Sequence, residues 1–216
     1  MLDDRRSSVC PMPYGLPNMS FIGYPLAVPC RGHSGLGLRQ VTRADTDAVV
    51  EHFLALDPVD RWMRFCATLN PEAIRRHVEG LWDRDGVILA ACDGPLFAGP
   101  LHKAGPIRAL AELLIVGEEA ELGISVDPSL RRRGIGTYLL QTGASLLEPR
   151  GIRTIRATTM PDNSSFIGMA HALDGTVNYT PDLVEVSFDV ATLAAAYRRR
   201  RAAEMLRFAG SYPQGA

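Results

Sequence analysis

The stretch Asp127-Pro-Ser-Leu-Arg-Arg-Arg-Gly-Ile-Gly-Thr-Tyr-Leu-Leu140 joins a strand-like run to a helix-like run through a basic turn that contains two glycines. Glycines let the backbone come close to a ligand, and unpaired N–H groups at a helix start attract phosphate together with the positive end of the helix dipole. Three successive arginines add forked donors that suit phosphate oxygens. The stretch therefore predicts a strand, an anion-binding turn and a helix. The N–H groups expected to face the anion are those of Arg133, Gly134, Ile135, Gly136 and Thr137.

Two common nucleotide-binding motifs do not fit this turn. A dinucleotide fingerprint needs a third glycine where this chain has Leu139, and no acidic residue follows at a strand end about 20 residues later. A Walker loop needs a lysine, and the single lysine of the chain, Lys103, lies far from the turn. The anion expected at this turn is therefore not assigned to a dinucleotide or to a Walker-type nucleotide.

Composition limits the functional classes. The net charge of −1 over 216 residues gives no global field that would recruit nucleic acid or an anionic membrane. No apolar run reaches the length of a membrane span, and no signal peptide is recognisable, so a cytoplasmic location is expected. The four cysteines are widely spaced and form no Cys-x-x-Cys pair, which argues against a structural metal site or a disulfide framework. They are Cys10, Cys30, Cys66 and Cys92.

The chain divides into three parts by composition. Residues 1–34 are rich in proline and glycine and show no helix or strand periodicity, which predicts a largely disordered extension. Residues 35–190 carry the periodic apolar pattern of one domain. Residues 191–216 predict a basic C-terminal helix and tail, in which Leu193, Tyr197, Ala202 and Leu206 dock while residues 198–201 remain solvated.

The apolar pattern of residues 35–190 alternates between strands and helices. Strands are predicted at 36–41, 87–92, 107–116, 120–126, 152–158, 176–180 and 184–190. Three helices lie between the first two strands, and one more follows each of the fourth and fifth strands. In the first helix, Val49, Val50, Phe53 and Leu54 are expected to form the buried face. Asn70 followed by Pro71 predicts the start of the third helix.

This order and three short motifs resemble the GNAT superfamily of acyl-CoA-dependent N-acyltransferases. The turn matches the family's pyrophosphate loop through Arg131, Gly134 and Gly136. The helix that begins after Asn163 is similar to the helix that follows the fifth strand in the family. The segment Leu56-Asp-Pro-Val-Asp-Arg61 and Ala120-Glu-Leu122 are similar to bacterial members. The resemblance covers about residues 36–190. It implies an α/β (α+β) fold with a mixed, mostly antiparallel sheet of six to seven strands, splayed between strands 4 and 5.

The resemblance also implies the reaction: transfer of an acetyl group from acetyl-CoA to a primary amine by direct attack, without a metal. The fourth strand would pair with the pantetheine amides and the turn would hold the pyrophosphate. Glu121 stands where the family has a fourth-strand glutamate that can accept the amine proton, or it is a strand residue paired with an arginine. The residues expected at the donor are Ile124, Ser125, Val126, Arg131, Arg132, Arg133, Gly134, Ile135, Gly136, Thr137 and Asn163.

The position of the family's general acid, a tyrosine, is Ala170 in this chain. His171 lies beside it but points about 100° further round the helix. Three functions stay open: an acetyltransferase acting on a small-molecule or protein amine, an acyl-CoA sensor without turnover, and an interaction module with a basic terminal helix. Neither nucleic acid nor membrane is expected as a partner, and a homodimer stays open.

Overall fold

The computed structural model describes residues 26–27, 35–94 and 105–209, which form a mixed eight-stranded sheet with helices on both faces. One strand is the two-residue segment Leu26–Ala27 at the edge of the sheet. The other seven are β1 Leu36–Gln40, β2 Gly86–Asp93, β3 Ile107–Val116, β4 Glu119–Val126, β5 Thr154–Thr159, β6 Thr176–Tyr179 and β7 Val184–Asp189. From the edge, the order is Leu26–Ala27, β1, β2, β3, β4, β5, β7, β6.

The predicted fold class is confirmed, including the break between the fourth and fifth strands. β4 and β5 are the parallel pair, whereas every other neighbouring pair in this sheet is antiparallel. The parallel register joins Glu119 to Thr154 and ends at Glu121, opposite Arg156. Residues 122–126 of β4 therefore have no partner on β5, although β3 pairs with them on the other side.

Six α-helices in the described part of the chain cover the sheet. They are α1 Thr46–Ala55, α2 Pro58–Phe65, α3 Pro71–Leu81, α4 Ile135–Leu147, α5 Ser164–Ala172 and α6 Val190–Ala209. The predicted cap of α3 is present, because the Asn70 side chain accepts a hydrogen bond of 2.8 Å from the amide of Ala73. α5 ends where Asp174 adopts a φ of 56° and the amide of Gly175 bonds to Ala170 O. Asp174 thus takes the left-handed position that glycine commonly fills after a helix.

The two faces of the sheet have separate cores, because side chains alternate along each strand. On one face, Ala109, Ala111 and Leu113 of β3 pack in the core that includes α4, α5 and the start of α6. On the other face, Leu110 and Leu114 of β3 pack with α1 and α3. Each β4 side chain therefore faces either the α4 side or the α1 side, and this decides which residues meet in the site.

Two expectations from the sequence are wrong in detail. In α1 the buried polar residue His52 takes the place expected for Leu54, which is 38% exposed. Hydrogen bonds to both ring nitrogens of His52 make that burial tolerable. In α6 Leu193 is buried as expected, but Leu206 is 74% exposed. The extension contributes the strand Leu26–Ala27 to the sheet, whereas the rest of the predicted disordered region lies outside the described residues.

Candidate functional site

The anion-binding turn predicted from the sequence begins with an acidic cap. Asp127 follows β4 and accepts hydrogen bonds from the amide and the hydroxyl of Ser129, at 2.9 and 2.6 Å. These bonds close a short 3-10 turn at Pro128–Leu130. Burial raises the pKa of Asp127, but the bonds from Ser129 and the nearby Arg108 outweigh it and hold the pKa below its ordinary value. The Asp127 carboxylate therefore fixes the start of the turn.

Two left-handed residues then direct the backbone into α4. Arg132 has a φ of 62° and Gly134, the N-cap, has a φ of 85°. A glycine suits this conformation because it has no Cβ. The first amide to bond within the helix region is that of Tyr138, which donates to Gly134 O at 3.0 Å. The preceding amides of Ile135, Gly136 and Thr137 are the donors that a helix start leaves for an anion.

The turn and the unpaired part of β4 border one cleft with a volume of about 600 Å³. Of the predicted donor-binding residues, Arg133 is the one that does not line it; the others do. They are Ile124, Ser125, Val126, Arg131, Arg132, Gly134, Ile135, Gly136, Thr137 and Asn163. The remaining walls come from α2 and α5. The structure therefore places the predicted turn, strand edge and α5 around one space.

The absence of a side chain at Gly136 keeps this cleft open. A Cβ at that position would lie 3.3 Å from Met169 Sδ, 3.5 Å from Ile124 Cδ1 and 3.7 Å from Val126 Cγ2. All three side chains border the cleft. A larger side chain would therefore crowd the side chains that border the cleft at the start of α4.

Arg131 connects the turn to α2. Its guanidinium forms an ion pair with Asp60 of α2, and its Nε donates to Val126 O at 3.2 Å. Asp60 also lines the cleft. Arg131 is therefore committed to protein partners on both sides of the cleft, which the family resemblance alone did not predict.

On α5, Asn163 and Ala170 have different surroundings. The Asn163 side chain accepts from Phe166 N at 3.2 Å and donates to Thr159 Oγ1 at 2.8 Å, which fixes it between β5 and α5. Ala170, the position of the family tyrosine, is fully buried and does not line the cleft. His171 is exposed and also lies outside the cleft lining.

Glu121 lies where β4 and β5 separate, but its side chain faces solvent. The carboxylate is 61% exposed and pairs with Arg84 at 2.8 Å. Glu121 does not line the cleft. Of the two roles predicted for this residue, the structure displays the ion pair with an arginine.

A buried ion pair that sequence analysis missed lies beneath α2. Arg64 donates to Glu112 at 2.5 Å, and the two side chains are 11% and 3% exposed. Gly123, opposite Glu112 in the β3–β4 register, leaves room for the guanidinium, which a Cβ would overlap. Burial raises the pKa of Glu112, but Arg64 and His77 outweigh it and hold the pKa below its ordinary value. The signal in the sequence was a glutamate inside an apolar strand.

Arg64 closes the gap between β4 and β5. It borders the large cleft and also a cavity of about 20 Å³ between the two strands, which Gly123 and Asn163 line as well. The rings of Phe53 and Phe65 lie 5.5 and 4.8 Å from its guanidinium carbon. Arg64 is therefore held from both sides at the point where the strands separate.

The second feature that sequence analysis missed is a bond between His52 and Ser125. His52 Nε2 lies 2.7 Å from Ser125 Oγ, and His52 Nδ1 lies 3.0 Å from Ile107 O. A carbonyl oxygen can only accept, so Nδ1 carries the proton and neutral His52 accepts from the serine through Nε2. Burial is the largest influence on the pKa of His52 and lowers it, which favours this neutral form. The bond with Ile107 O raises the pKa, Arg64 lowers it further, and Asp127 and Glu112 raise it, without offsetting the burial.

Within residues 26–27, 35–94 and 105–209, no cluster of three or more His, Cys, Asp or Glu side chains could hold a metal ion. No helix in the described part of the chain has both the length and the apolar character needed to cross a membrane.

Comparisons with known proteins agree with this architecture. The model of the acetyltransferase (GNAT) family matches residues 50–174, more than half of the chain. The GNAT domain of S. lividans PAT is 23% identical, with a TM-score of 0.61, over 76% of this chain and 96% of that one. The ribosomal-protein-S18-alanine N-acetyltransferase from Escherichia coli is 17% identical, with a TM-score of 0.52, over 71% and 92%.

The cAMP-binding acyltransferase from Mycobacterium smegmatis is 20% identical, with a TM-score of 0.52 over 77% of this chain. The match spans 47% of that protein, about half its length. These identities support the fold alone, and a comparison with curated protein sequences gives no significant match. The family model and the folded core together show that the chain belongs to the GNAT family of acetyltransferases.

Proposed function

We propose that the protein is an N-acetyltransferase that moves an acetyl group from acetyl-CoA to a primary amine of a small molecule or protein. The observation that carries the proposal is the single cleft that joins the free amides at the start of α4 to the unpaired edge of β4. A pyrophosphate suits the amides, and an extended chain with amide groups suits a strand edge. Acetyl-CoA contains both parts, in that order.

The residues present fit this donor. The amides of Ile135, Gly136 and Thr137 would hold the pyrophosphate, and Gly136 leaves the space that an added Cβ would fill. The backbone of residues 124–126 would pair with the pantetheine. The thioester supplies an acyl carbon and a thiolate leaving group. A free thiol has a pKa of about 8.5, so this group departs without a strong proton donor. The buried Ala170 therefore does not exclude turnover.

The acceptor amine would attack directly while both substrates are bound. An alkyl ammonium with a pKa of about 10.4 must lose a proton before it can attack at neutral pH. Glu121 is the carboxylate that the family pattern proposes for this task. Its pairing with Arg84 and its exposure mean that it would have to release the arginine to act.

A second candidate function is an acyl-CoA sensor that binds the donor without turnover. Two observations favour it: Ala170 offers no acid, and Glu121 lies outside the cleft. A cytoplasmic location and a homodimer remain predictions that accompany either function.

Thiol release separates the two functions. The full chain is incubated with acetyl-CoA and a panel of small amines and amine-bearing peptides, and free thiol is measured against controls without amine. Amine-dependent release supports the transferase. Calorimetric binding of acetyl-CoA with no release for any amine would support the sensor, and no binding would contradict both.

A further inference from the structure

The His52–Ser125 pair has the geometry of an activated hydroxyl. A hydroxyl within hydrogen-bond reach of a base, which a third group orients in turn, is the arrangement that enzymes use for proton transfer. Here the base is His52 Nε2 at 2.7 Å from Ser125 Oγ, and the orienting group is Ile107 O at 3.0 Å from Nδ1. Ser125 also borders the cleft. The pair therefore connects the cleft to a buried base.

The direction of the bond determines what Ser125 offers a ligand. Its hydroxyl proton points at His52, so its oxygen presents lone pairs to the cleft. A lone pair accepts an N–H group, such as that of an attacking amine. His52 is 5% exposed, so a proton that reaches it can leave through Ser125.

We propose that Ser125 and His52 form a proton shuttle that takes the proton from the attacking amine and returns it to the leaving sulfur. This inference rests on the proposed transferase function. Ser125 would be the catalytic residue that contacts the amine, and His52 would act through it. The shuttle would provide the general acid that Ala170 does not.

The step balances without another reactant. The amine nitrogen forms a bond to the thioester carbonyl carbon and gives its proton to Ser125 Oγ, while the Oγ proton moves to His52 Nε2. The carbon–sulfur bond breaks, and sulfur leaves with the electron pair. The proton then returns from Nε2 through Oγ to sulfur. The products are an amide and a thiol, with the hydroxyl and the neutral imidazole restored.

The surroundings of His52 favour the neutral imidazole, so a proton on His52 would be short-lived. Burial lowers the pKa of His52 most, and Arg64 of α2 lowers it further. The bond with Ile107 O, Asp127 after β4 and Glu112 of β3 raise it without offsetting the burial. A buried imidazolium therefore gives up its proton readily, which favours transfer to a thiolate. The nearby carboxylates limit the cost of forming the cation.

Two substitutions test the shuttle against a matched control. Ser125→Ala removes the hydroxyl, and His52→Gln replaces the ring with a side chain that cannot carry the proton. Each should lower kcat on the order of 10²-fold. Acetyl-CoA affinity should stay at the wild-type value, because the backbone of Ser125 is the part proposed to bind the donor. Ser145→Ala makes the same chemical change on α4, outside the cleft lining, and should leave kcat unchanged.

The pH dependence gives a readout that a structural role would not move. The ratio of wild-type to His52→Gln rates cancels the ionisation of the acceptor amine. It should be constant above the ordinary histidine pKa of about 6.5 and fall towards one only at lower pH, because the pKa of His52 is lowered and protonated His52 cannot accept. Melting temperatures show which variants are folded. If His52→Gln unfolds, the same ratio is measured with Ser125→Ala.

The outcomes are distinct. A wild-type kcat in folded Ser125→Ala, or a rate ratio that is constant with pH, would overturn the shuttle and leave the transferase standing. An acetyl group found on Ser125 by peptide mass after incubation with acetyl-CoA alone would also overturn it, because Ser125 would then be a nucleophile. No thiol release by the wild type would overturn the transferase and the shuttle together.

Discussion

Replacing Gly136 with valine should weaken donor binding by at least about 100-fold while the fold remains. The Cβ would lie 3.3 Å from Met169 Sδ, and the valine methyl groups would crowd the side chains that border the cleft at the start of α4. A hydrogen bond to a charged group contributes about 1.5–3 kcal/mol, so loss of two of these amide contacts corresponds to at least about 100-fold in affinity. The neighbouring Met169 and Ile124 atoms are side-chain ends that can adjust, which preserves the core.

Melting temperature with acetyl-CoA measures this loss. At about 100 times its dissociation constant, the ligand should stabilise the wild type by about 2.7 kcal/mol. For a chain of 216 residues, this corresponds to an increase of about 5–10 °C. The same concentration should give the variant about 0.4 kcal/mol and an increase of about 1 °C.

Gly80 provides the matched control, because it is exposed on α3 and a Cβ there meets open space. Gly80→Val should keep the full wild-type increase with acetyl-CoA, and NAD should give none with any variant. A wild-type increase in Gly136→Val would refute the assignment of this turn as the donor cradle.

Three further predictions concern other parts of the chain. If Glu121 accepts the amine proton, Glu121→Gln should lower turnover on the order of 10²-fold at neutral pH and less at high pH; wild-type rates throughout would leave it as the ion-pair partner of Arg84. Glu112→Gln should lower the free energy of unfolding in denaturant by about 3–5 kcal/mol, because Arg64 stays buried without its partner. Since the pKa of Glu112 is lowered, the wild type should lose this contribution as the pH falls below the ordinary glutamate range, and the variant should lack that loss. A chain that begins at Gly35 should melt within a few degrees of the full chain, because the described contact it loses is a two-residue strand; insolubility would contradict this.

Local signals were sufficient for the fold and for the anion-binding turn. Strand alternation, the cap at Asn70 and the glycines after β4 each act within a few residues, so the sequence reveals them directly. The separation of β4 from β5 came from the family resemblance, and the register that ends at Glu121 confirms it. No short motif encodes where two strands part.

The contacts that sequence analysis missed join residues far apart in the chain. His52 and Ser125 are separated by 73 positions, and Arg64 and Glu112 by 48. Periodicity favoured Leu54 for the core of α1 because leucine is apolar. It could not show that Ile107 O and Ser125 Oγ would satisfy both ring nitrogens of His52. Buried polar residues become acceptable only through such distant partners.

Gly123 makes correct strand pairing and a formed site depend on the same alignment. It lies opposite Glu112 and beneath Arg64, where a Cβ would overlap the guanidinium. A slip of one residue between β3 and β4 would place a neighbour of Gly123, Leu122 or Ile124, opposite Glu112, and would turn each β4 side chain to the other face relative to β3. A misaligned β3–β4 hairpin would thus also lack space for the ion pair between Arg64 and Glu112. Misalignment would therefore destabilise the protein and would not give a stable fold with an altered site.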